Sequence, residues 1–387
     1  MDHQNPKISV LQPTSLTDWS LPVDDFAGFD DPDCIGRFLL ASRQATVRCP
    51  RPILLAGSEE AAFFMPRGQL QPQHEFPLPD VRLDTVPQAR LVGDKFIVLS
   101  RDQKVFSESY WSDANLHDGV HFQRHSLRIA GRGGERKLPL VLFRESPVAR
   151  RIEGSAMLIG NPWAANYHHW LINGLLRLWW TTRIAELQDI RLIVPAHMSS
   201  FQQESLAALG VDPRRLLPFD GALWQIDRLF FPANGDYWPL QLRWLRERFF
   251  QHYRLSEAPG QRRIYISRAD AAGRRTTNEP EVVEMLRPRG FEVLELASLP
   301  LAEQVRAFAE AKLIVGPHGA GLTNIVFAAS NATVVELHPR DEINHALWVE
   351  ASALGLKYAL LSGARMNDQR DLQVSVTDLA SLLDRLE

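Results

Sequence analysis

Cysteine is scarce in this chain: only Cys34 and Cys49 occur among 387 residues, and both lie near the N-terminus. Two cysteines cannot build the disulfide framework on which small secreted domains depend. We therefore expect the fold to be stabilised by buried apolar side chains and the protein to work in a reducing compartment.

Long apolar runs are missing as well. No stretch approaches the roughly eighteen consecutive apolar residues that a membrane-spanning helix needs. The start of the chain lacks the basic and apolar regions of a secretory signal. The sequence therefore predicts a cytoplasmic protein, and peripheral association with the inner face of a membrane stays open.

The chain has no strong excess of charge of either sign: its formal net charge is −3 at pH 7, and 23% of its residues are charged. A protein this close to neutrality has no general attraction for nucleic acid, so nucleic acid is not an expected partner. With 45% hydrophobic residues the composition is that of a globular protein, and the length exceeds the usual single core. Two domains are expected.

The N-terminal part differs from the rest in composition. The first sixty or so residues are rich in proline and aspartate, and further prolines follow up to Pro87. Proline lacks the backbone donor and fixes the backbone, which argues against central strands and long helices there. We predict an N-terminal extension with an irregular segment over residues 1–90.

From residue 91 onward, short apolar runs alternate with helical patterns, which predicts two α/β domains over residues 91–258 and 259–387. The boundary is placed at Pro259-Gly260, after a predicted helix over 240–253. Uniformly apolar strands indicate a parallel sheet that helices cover on both faces. In such open sheets ligands bind beyond the carboxyl ends of the strands, so chemistry is expected in the loops that follow them.

One such loop is rich in glycine and runs from Gly316 to Gly321, between a predicted strand and a predicted helix. Gly319 and Gly321 allow close backbone approach and unusual dihedral angles, and the helix start at Ala320 offers unpaired N–H groups to an anion. A diphosphate fits such a site, and His318 could donate a hydrogen bond to it. The alternative is that the glycines only allow tight packing of strand against helix.

Other strand ends place polar residues near this loop. Arg268 follows the first strand of the second domain and could reach the same phosphates, while Arg275 and Asn278 lie at the start of the next helix. Glu336 ends the fourth strand, where a carboxylate can accept hydrogen bonds from a ribose diol. These four residues and the glycine-rich loop form the predicted nucleotide site. Two alternatives stay open, an Arg268–Glu295 ion pair and a loop-capping role for Glu336.

In the first domain, histidines and aromatic residues open a helix that follows a predicted strand, in the run Asn166-Tyr167-His168-His169-Trp170. Adjacent residues on a helix point roughly 100° apart, so at most one of the two histidines readily faces a ligand. We favour His169 as a general base for an acceptor hydroxyl. Trp170 is predicted to stack on a sugar, with Asn166 and His168 as further contacts. The alternative is a hydrogen-bonded structural histidine beside buried aromatic rings.

Three segments of the chain together resemble the signature of glycosyltransferase family 61. They are His318 to Asn324 with Glu303-Gln304-Val305 before it and Glu336 after it, the run from Asn166 to Trp170, and the segment from Tyr265-Ile266-Ser267-Arg268 to Asn278-Glu279. The resemblance covers about residues 150 to 340 in consistent order, and residues 1 to 90 lie outside it.

The resemblance implies an α/β fold of the GT-B type, with two facing Rossmann-like domains and an N-terminal extension. It implies an inverting glycosyltransferase that moves a hexose or pentose from a nucleotide sugar, UDP-linked in the first instance, to a glycan or another hydroxyl acceptor. Bacterial members of the family look like surface or capsular polysaccharide enzymes. The donor is expected in the second domain and the acceptor in the first. No cofactor and no metal ion are expected, and the oligomeric state is open.

Other functions were weighed against this one. A non-catalytic nucleotide-sugar-binding protein stays open. A nicotinamide-dependent oxidoreductase is disfavoured, because its G-x-G-x-x-G follows the first strand of the unit whereas this chain has Gly-x-x-Gly-x-Gly after the third. An esterase would need a Gly-x-Ser-x-Gly elbow, which the sequence lacks. Two metal-like patterns lie away from the motifs, and we expect no metal at either: His117, His121 and His125, and Asp31-Pro32-Asp33.

Overall fold

A computed structural model of the chain describes residues 46–54, 75–102, 105–106, 109, 147–233, 237–341 and 344–386 in full. For the strand residues outside those ranges it describes the backbone alone.

The strands, numbered in chain order, are β1 (Ile8–Leu11), β2 (Pro13–Thr14), β3 (Leu21–Pro22), β4 (Gly36–Ala41), β5 (Thr46–Pro50), β6 (Gln73–Pro77), β7 (Val81–Val92), β8 (Ile97–Leu99), β9 (Val105–Phe106), β10 (Phe122–Gly131), β11 (Gly134–Arg144), β12 (Arg150–Leu158), β13 (Arg191–Pro195), β14 (Leu216–Phe219), β15 (Trp224–Pro232), β16 (Arg262–Ile266), β17 (Phe291–Leu294), β18 (Ala311–Pro317), β19 (Thr333–Pro339), β20 (Lys357–Arg365) and β21 (Leu372–Gln373). The α-helices are α1 (Tyr167–His169), α2 (Ser200–Ala208), α3 (Pro239–Tyr253), α4 (Glu279–Leu286), α5 (Leu301–Ala309), α6 (Ala346–Ala353) and α7 (Val376–Leu386). A π-helical turn covers Trp170–Gly174, and 3₁₀ helices cover Leu175–Thr182, Ala185–Leu187, Pro213–Arg215, Arg287–Arg289, Leu296–Ser298 and Ala320–Phe327.

The chain divides into two units that do not follow the predicted domain boundaries. Unit 1 comprises residues 1–42, 79–200 and 211–235, and unit 2 comprises residues 43–78, 201–210 and 236–387. Helix α3, which the sequence placed at the end of the first domain, belongs to unit 2. The predicted extension over residues 1–90 is shared between the units, because several of its strands pair with strands from later in the chain.

The main sheet of unit 1 is mixed. Strands β14-β13-β12-β15 are neighbours and run parallel, and the sheet continues through β7, β8 and β9 by antiparallel pairing. Buried apolar side chains of β7, β12 and β15 contribute most of its core. The parallel part confirms the α/β class that the sequence predicted, and the antiparallel part was not foreseen.

Strand β7 shows that the prediction of an irregular segment was wrong. Its twelve residues are mostly buried, and it pairs with β4, β8 and β15. Pro87 lies inside it, opposite Arg228 of β15, and the next residue, Gln88, has a φ of 48°. The left-handed residue interrupts the regular ladder locally, and such an interruption is where a sheet tolerates a proline.

Unit 2 contains the sheet that the sequence predicted most closely. Its six strands have the order β17-β16-β18-β19-β20-β21, and all but β21 run parallel. Numbered by chain order within the sheet, the parallel strands follow the order 2-1-3-4-5 of flavodoxin-like doubly wound folds. The order reverses between β16 and β18, so the carboxyl ends of these two strands border the crevice in which such sheets bind ligands.

Helices cover both faces of the unit 2 sheet, as its buried strands require. Helices α4 and α7 pack together on one face, over a core that includes Val335 and Leu337 of β19. Helices α5 and α6 pack against the 3₁₀ helix Ala320–Phe327 on the other face. Since side chains alternate along a strand, Glu336 and His338 of β19 point to this second face.

The helix predicted to open at Asn166-Tyr167 is present but is not a regular α-helix. It starts with the α-helical turn α1, continues as the π-helical turn Trp170–Gly174 and ends as the 3₁₀ helix Leu175–Thr182. Turns of the π type are rare and frequently lie at functional sites. Neither this helix nor any other in the described residues is long and apolar enough to cross a membrane.

Candidate functional site

The crevice at the carboxyl ends of β16 and β18 collects several of the predicted site residues. Arg268 follows β16, and His318 and Gly319 follow β18. The 3₁₀ helix Ala320–Phe327 begins directly after Gly319, so its first unpaired N–H groups lie at the same edge of the sheet. These are the groups that the sequence assigned to a diphosphate, and the strand order places them on one crevice.

Gly319 packs directly against the guanidinium of Arg268. A Cβ atom at position 319 would overlap with Nη1 and Cζ of Arg268. The φ of Gly319 is 171°, an extended conformation that any residue adopts, so glycine is needed here for space and not for an unusual dihedral angle. The same holds for Gly321, where an added Cβ would lie 2.9 Å from Cδ1 of Leu296.

Arg268 keeps part of its hydrogen-bonding capacity unused. Its Nη2 donates to the carbonyl of Gly273 at 3.0 Å, whereas its Nε is buried without a hydrogen-bond partner among the described residues. Burial lowers the pKa of Arg268, and the nearby positive charge of Arg274 lowers it further. A bound anion would relieve both effects, because it would accept from the guanidinium and offset the repulsion between the two arginines.

His318 is held by a fully buried carboxylate. Its Nδ1 donates to one oxygen of Glu336, and the hydroxyl of Tyr358 donates to the other. Burial raises the pKa of Glu336, but the neighbouring His318 and these hydrogen bonds outweigh that effect and hold the pKa below its ordinary value. The ionised carboxylate keeps a proton on Nδ1 of His318 and leaves Nε2 for other partners.

This burial bears on the role that the sequence suggested for Glu336. Its side chain has no exposed surface, and both carboxylate oxygens are engaged within the protein. A direct hydrogen bond to a ribose diol does not fit this geometry, since the diol would have to displace His318 or Tyr358. Glu336 instead positions His318. Tyr358 was missed from sequence because the pairing of β19 with β20 brings it to Glu336, and no spacing pattern signals that contact.

His338 lies beside this group and is neutral at pH 7. Its ring centroid is 4.6 Å from that of His318. Its Nε2 accepts from the backbone N–H of Asn344 at 3.1 Å, and its Nδ1 lies 3.3 Å from the carbonyl oxygen of Pro339. Burial is the main cause that lowers the pKa of His338 to about 4. Neither nitrogen is therefore a ready proton acceptor for a ligand.

Glu350 of α6 adds a second buried carboxyl group to this part of unit 2. Both of its oxygens are buried without a hydrogen-bond partner in the described part of the chain. Burial raises its pKa well above the ordinary value, and the charge of Glu336 raises it further. Burial therefore favours the uncharged form of Glu350, whereas the hydrogen bonds of Glu336 favour its ionised form.

His318, Glu336 and His338 are the described residues that could ligate a metal ion here. Their ligand atoms lie within 4.8 Å of one another, and imidazole and carboxylate groups suit zinc and other transition metals. His318 and Glu336 bind each other, however, and both nitrogens of His338 face backbone groups. A metal ion would have to replace these hydrogen bonds.

Two residues that the sequence assigned to the nucleotide make contacts within unit 2 instead. Arg275 forms an ion pair with Asp371, in which Nη2 lies 2.8 Å from Oδ2. Asn278 exchanges two hydrogen bonds with the backbone of Val374, at 2.8 and 3.0 Å. These contacts fasten the segment before α4 to the region around β21, so both residues have structural partners that explain their presence.

Arg274 is the neighbouring arginine whose charge reaches the crevice. Its positive charge lowers the pKa of Arg268 and contributes to the low pKa of His338. Its φ of 57° lies in the left-handed region, and its backbone N–H donates to the carbonyl of Gln369 at 2.9 Å. The crevice therefore carries more positive charge than the residues chosen from sequence would supply.

Polar pairs support the walls of the crevice. Glu279 accepts from the hydroxyl of Tyr265 at 2.9 Å and from that of Ser267 at 3.0 Å, which links the end of β16 to the start of α4. On the opposite side of β16, the Asn324 amide donates to the side chain of Gln304 at 3.2 Å. This bond ties the 3₁₀ helix to α5. The motif residues Gln304 and Asn324 thus hold the loop that carries His318.

The histidine pair of unit 1 opens the irregular helix. Asn166 is its N-cap, and its Oδ1 accepts from the backbone N–H groups of His168 at 2.9 Å and His169 at 3.4 Å. Nδ1 of His169 lies 2.9 Å from Oδ1 of Asn173, a pairing that puts the proton on Nδ1 and the lone pair on Nε2. Burial lowers the pKa of His169, so the ring is neutral at pH 7, as a general base requires.

Trp170 cannot be the stacking surface that the sequence suggested, because its side chain is completely buried. It begins the π-helical turn, all of whose residues are buried. Among the tryptophans that the structure describes, the exposed one is Trp163, in the turn after β12, with 46% of its surface accessible. Its ring centroid lies 6.0 Å from that of His169. Which of the two tryptophans is exposed was not predictable from sequence, since both lie close to the same histidines.

Several residues weighed from sequence lie outside the described ranges: Asp31, Asp33, Cys34, His117 and His121. For His125 the backbone alone is described, in strand β10. A strand at that position is incompatible with one helix face shared by the three histidines.

Comparison with known proteins adds to these observations. Residues 167–335 match the family model Glycosyltransferase 61. A segment of 42 residues is 50% identical to the beta-1,2-xylosyltransferase of Arabidopsis thaliana and covers 11% of this chain and 8% of that protein. The match thus spans a small fraction of the length of that relative.

Among solved structures, that of the dodecameric iron-containing heptosyltransferase TibC in complex with ADP-D-beta-D-heptose shares 12% identity and a TM-score of 0.30, over 79% of this chain and 93% of that one. A further structure of TibC, from enterotoxigenic E. coli H10407, shares 13% identity and a TM-score of 0.26, over 68% and 78%. Both likenesses are too slight to support a conclusion.

Proposed function

Because residues 167–335 match the family model Glycosyltransferase 61, we propose that this chain belongs to that family and transfers a sugar from a nucleotide-sugar donor to a hydroxyl group of a glycan. The observation that carries the proposal is the crevice of unit 2. There Arg268 and Gly319 meet the start of a helix at the point where the strand order reverses. This is where doubly wound sheets bind nucleotides.

The diphosphate of the donor is assigned to this crevice. Arg268 offers a buried, unpartnered Nε, the first turn of the 3₁₀ helix offers unpaired N–H groups, and Nε2 of His318 remains after Nδ1 is engaged by Glu336. All three are donors or positive groups. They suit an anion that gains negative charge during the reaction.

The transfer is proposed to be a single displacement with inversion. The acceptor hydroxyl gives up its proton to a base while its oxygen bonds to the anomeric carbon. The bond from that carbon to the diphosphate oxygen breaks, and its electron pair leaves with the nucleoside diphosphate. In this role His318 donates from Nδ1 to Glu336 and from Nε2 to the diphosphate, and donors placed where charge develops lower the barrier.

His169 is the proposed base. Its Nδ1 lies 2.9 Å from Oδ1 of Asn173, which puts the lone pair on Nε2, the atom proposed to accept the hydroxyl proton. Its lowered pKa keeps it unprotonated at neutral pH. The N-cap contacts of Asn166 fix the start of the helix and therefore the direction of the ring.

Finer features complete the proposal: a UDP-linked donor, the GT-B architecture, a role in surface or capsular polysaccharide synthesis, and independence of metal ions. The family resemblance supports the UDP-linked donor, the GT-B architecture and the role in polysaccharide synthesis. The α/β character of both units also agrees with the GT-B architecture. The arginines beside the diphosphate position support independence of metal ions, because they can offset the charge that a metal ion would otherwise neutralise.

Calorimetric titration with UDP tests the donor site. His318→Ala is expected to weaken UDP binding and Arg268→Ala to weaken it more, by about tenfold to a hundredfold, since hydrogen bonds to charged groups are worth roughly 1.5–3 kcal/mol. Arg275→Ala is the matched control, because Asp371 already pairs with it. Unchanged affinity in both crevice variants would remove the phosphate site.

Measurement of UDP release from nucleotide sugars, with and without glycan acceptors, tests the chemistry. A thermal-shift screen identifies the donor beforehand, as a ligand at a hundred times its Kd stabilises by roughly 2.7 kcal/mol. His169→Ala is expected to lose transfer while it still binds the donor. Near-normal turnover would remove the base assignment, and donor binding without any turnover of the wild-type protein would identify a binding protein.

A further inference from the structure

Trp163 lies beside the histidine pair of unit 1 and has no role in the chemistry above. We propose that its exposed face, together with the imidazole of His169, is a binding subsite for one pyranose ring of the acceptor glycan. The inference rests on the proposed function and deepens it, because it names the surface that would orient the acceptor.

The ring of Trp163 is exposed in a way that suits a small ligand. Trp163 is 46% exposed, and within the described residues of unit 1 it is the one large apolar side chain found exposed. The other exposed large apolar residues, Leu240, Val293 and Met366, all belong to unit 2. An isolated aromatic ring does not offer the contiguous apolar area that a protein interface needs. It does match the area of a single sugar ring.

The backbone that carries this ring is held by hydrogen bonds. The buried side chain of Asn161 accepts from the backbone N–H of Trp163 at 2.9 Å and donates to the carbonyl of His169 at 3.3 Å. The carbonyl of Trp163 accepts from the N–H of Asn166 at 2.8 Å. One buried amide therefore joins the tryptophan turn to the histidine, and a surface that is ordered before binding loses less entropy on binding.

The groups beside the indole ring suit the hydroxyls of a sugar. The planes of the Trp163 and His169 rings are inclined at 35°, and the His169 lone pair is on Nε2. The indole N–H has no hydrogen-bond partner among the described residues. A pyranose in the β-gluco or β-xylo configuration has a face of C–H bonds and a rim of hydroxyls. Its C–H face fits the indole, while its rim reaches a donor and an acceptor.

The position of Trp163 in the fold also suits a ligand-binding role. Trp163 lies in the loop after β12, a strand that is parallel to both of its neighbours, β13 and β15. Loops at the carboxyl ends of parallel strands are where such sheets bind ligands. The π-helical turn that follows His169 is a further feature that recurs at functional sites.

Fluorine NMR of protein labelled with 5-fluorotryptophan tests sugar binding without any need for turnover. The chain has ten tryptophans, and the resonance of Trp163 is the one that disappears in Trp163→Phe. We expect methyl β-glucoside or methyl β-xyloside to shift this resonance in a saturable way and to leave those of the buried tryptophans unchanged. If neither glycoside moves it up to tens of millimolar, the subsite does not exist.

A kinetic arm ties the subsite to transfer. Trp163→Ala is expected to raise the KM for the glycan acceptor about tenfold, since stacked aromatic contacts are worth roughly a kcal/mol beyond their buried area. Trp163→Phe is expected to restore part of the loss. Met366→Ala is the matched control, because Met366 is similarly exposed at 49% but belongs to unit 2. An unchanged KM in Trp163→Ala would overturn the proposal.

The two proposals fail in different ways. If the transferase hypothesis is wrong, the protein will not bind UDP. The glycoside titration does not depend on UDP binding and can still be carried out. A saturable shift of Trp163 in that case would leave a carbohydrate-binding surface on unit 1. Normal UDP binding with an unresponsive Trp163 would sink the subsite and spare the donor site.

Discussion

Gly319 and Arg268 touch so closely that a single added methyl group must move the guanidinium. Since this guanidinium is the proposed phosphate ligand, Gly319→Ala is expected to lower UDP affinity about tenfold or more. Calorimetric titration with UDP measures the effect. The reason is steric, so the variant tests the position of Arg268 without removing its charge.

Gly290→Ala is the matched control for this substitution. Gly290 has a φ of 78°, and an added Cβ there would meet no atom within 4 Å. The change should cost about 1–2 kcal/mol of stability, because left-handed backbone is strained in residues with a side chain. It should leave UDP binding as in the wild type. Equal UDP affinities in the two variants would contradict the role of Gly319.

His338 links protonation to stability. The unfolded chain protonates this residue near pH 6.5, whereas the folded protein does so only near a pKa of about 4. Between these values the unfolded state binds more protons, so the free energy of unfolding falls as the pH drops through this window. From pH 7 to pH 5 the loss amounts to about 2 kcal/mol.

Urea unfolding of wild-type protein and of His338→Gln, each at pH 7 and pH 5, measures this contribution. Glutamine keeps an acceptor for the N–H of Asn344 but does not titrate, so the variant should lose about 2 kcal/mol less than the wild type between the two pH values. The same pH dependence in both proteins would show that His338 is accessible to protons in the folded state.

At the scale of elements, the irregular helix that starts at Tyr167 depends on its cap. Asn166 accepts from two backbone N–H groups that would otherwise lack a partner. Asn166→Ala is therefore expected to lower the free energy of unfolding by about 1 kcal/mol. Because the cap also fixes His169, transfer should fall in the same variant.

Asn166→Asp is the control for the cap, since a carboxylate accepts the same two hydrogen bonds and suits the positive end of a helix. Urea unfolding and the transfer assay are applied to both variants. The cap assignment requires that aspartate retains stability and alanine does not. A matching loss in both would point to the amide nitrogen of Asn166 instead.

The sequence predicted elements well where their signal was local. The parallel strands of the unit 2 sheet are buried apolar runs between turns, so each carries its own signal in the sequence. Strand β7 was missed because Pro87 argues locally against a strand, while the support comes from pairing with β4 and β15. Apolar periodicity did not separate α from π or 3₁₀ geometry, so the form of the helix after Asn166 was not predictable.

The residues of the candidate site also divide into those with a local signal in the sequence and those without one. The common location of Arg268, His318 and Gly319 was predictable because they follow the ends of two strands, and strand ends can be read from sequence. Tyr358 was missed because its contact with Glu336 arises from the pairing of two strands. Asp371 was missed because a later segment of the chain folds back to bring it to Arg275. Burial decided the rest, since Trp163 and Trp170 have the same chemistry but opposite exposure.

At the scale of the whole molecule, the two units should respond differently to the donor nucleotide. UDP at a hundred times its Kd should slow the amide exchange of the unit 2 sheet up to about a hundredfold where exchange requires unfolding of that unit. The main sheet of unit 1 should keep its exchange rates. Hydrogen exchange followed by mass spectrometry resolves the two.

Arg268→Ala at the same UDP concentration is the control for this measurement, because it should show little protection in unit 2. Protection of unit 1 alone would contradict the assignment of the donor to unit 2. Equal protection of both units would show that they unfold as one cooperative body, and the donor would then have to be located by the crevice variants.

The path of the chain between the units has a consequence for how the protein is made. The chain changes unit after residues 42, 78, 200, 210 and 235, and the carbonyl of Pro50 accepts from the indole of Trp348, 298 positions later. On the ribosome, the segment 43–78 therefore emerges long before its neighbours in unit 2 exist, and that unit cannot be completed until residues beyond Trp348 have been made. No single cut in the gene yields either unit alone, so nascent chains of this protein should depend on chaperones until that point.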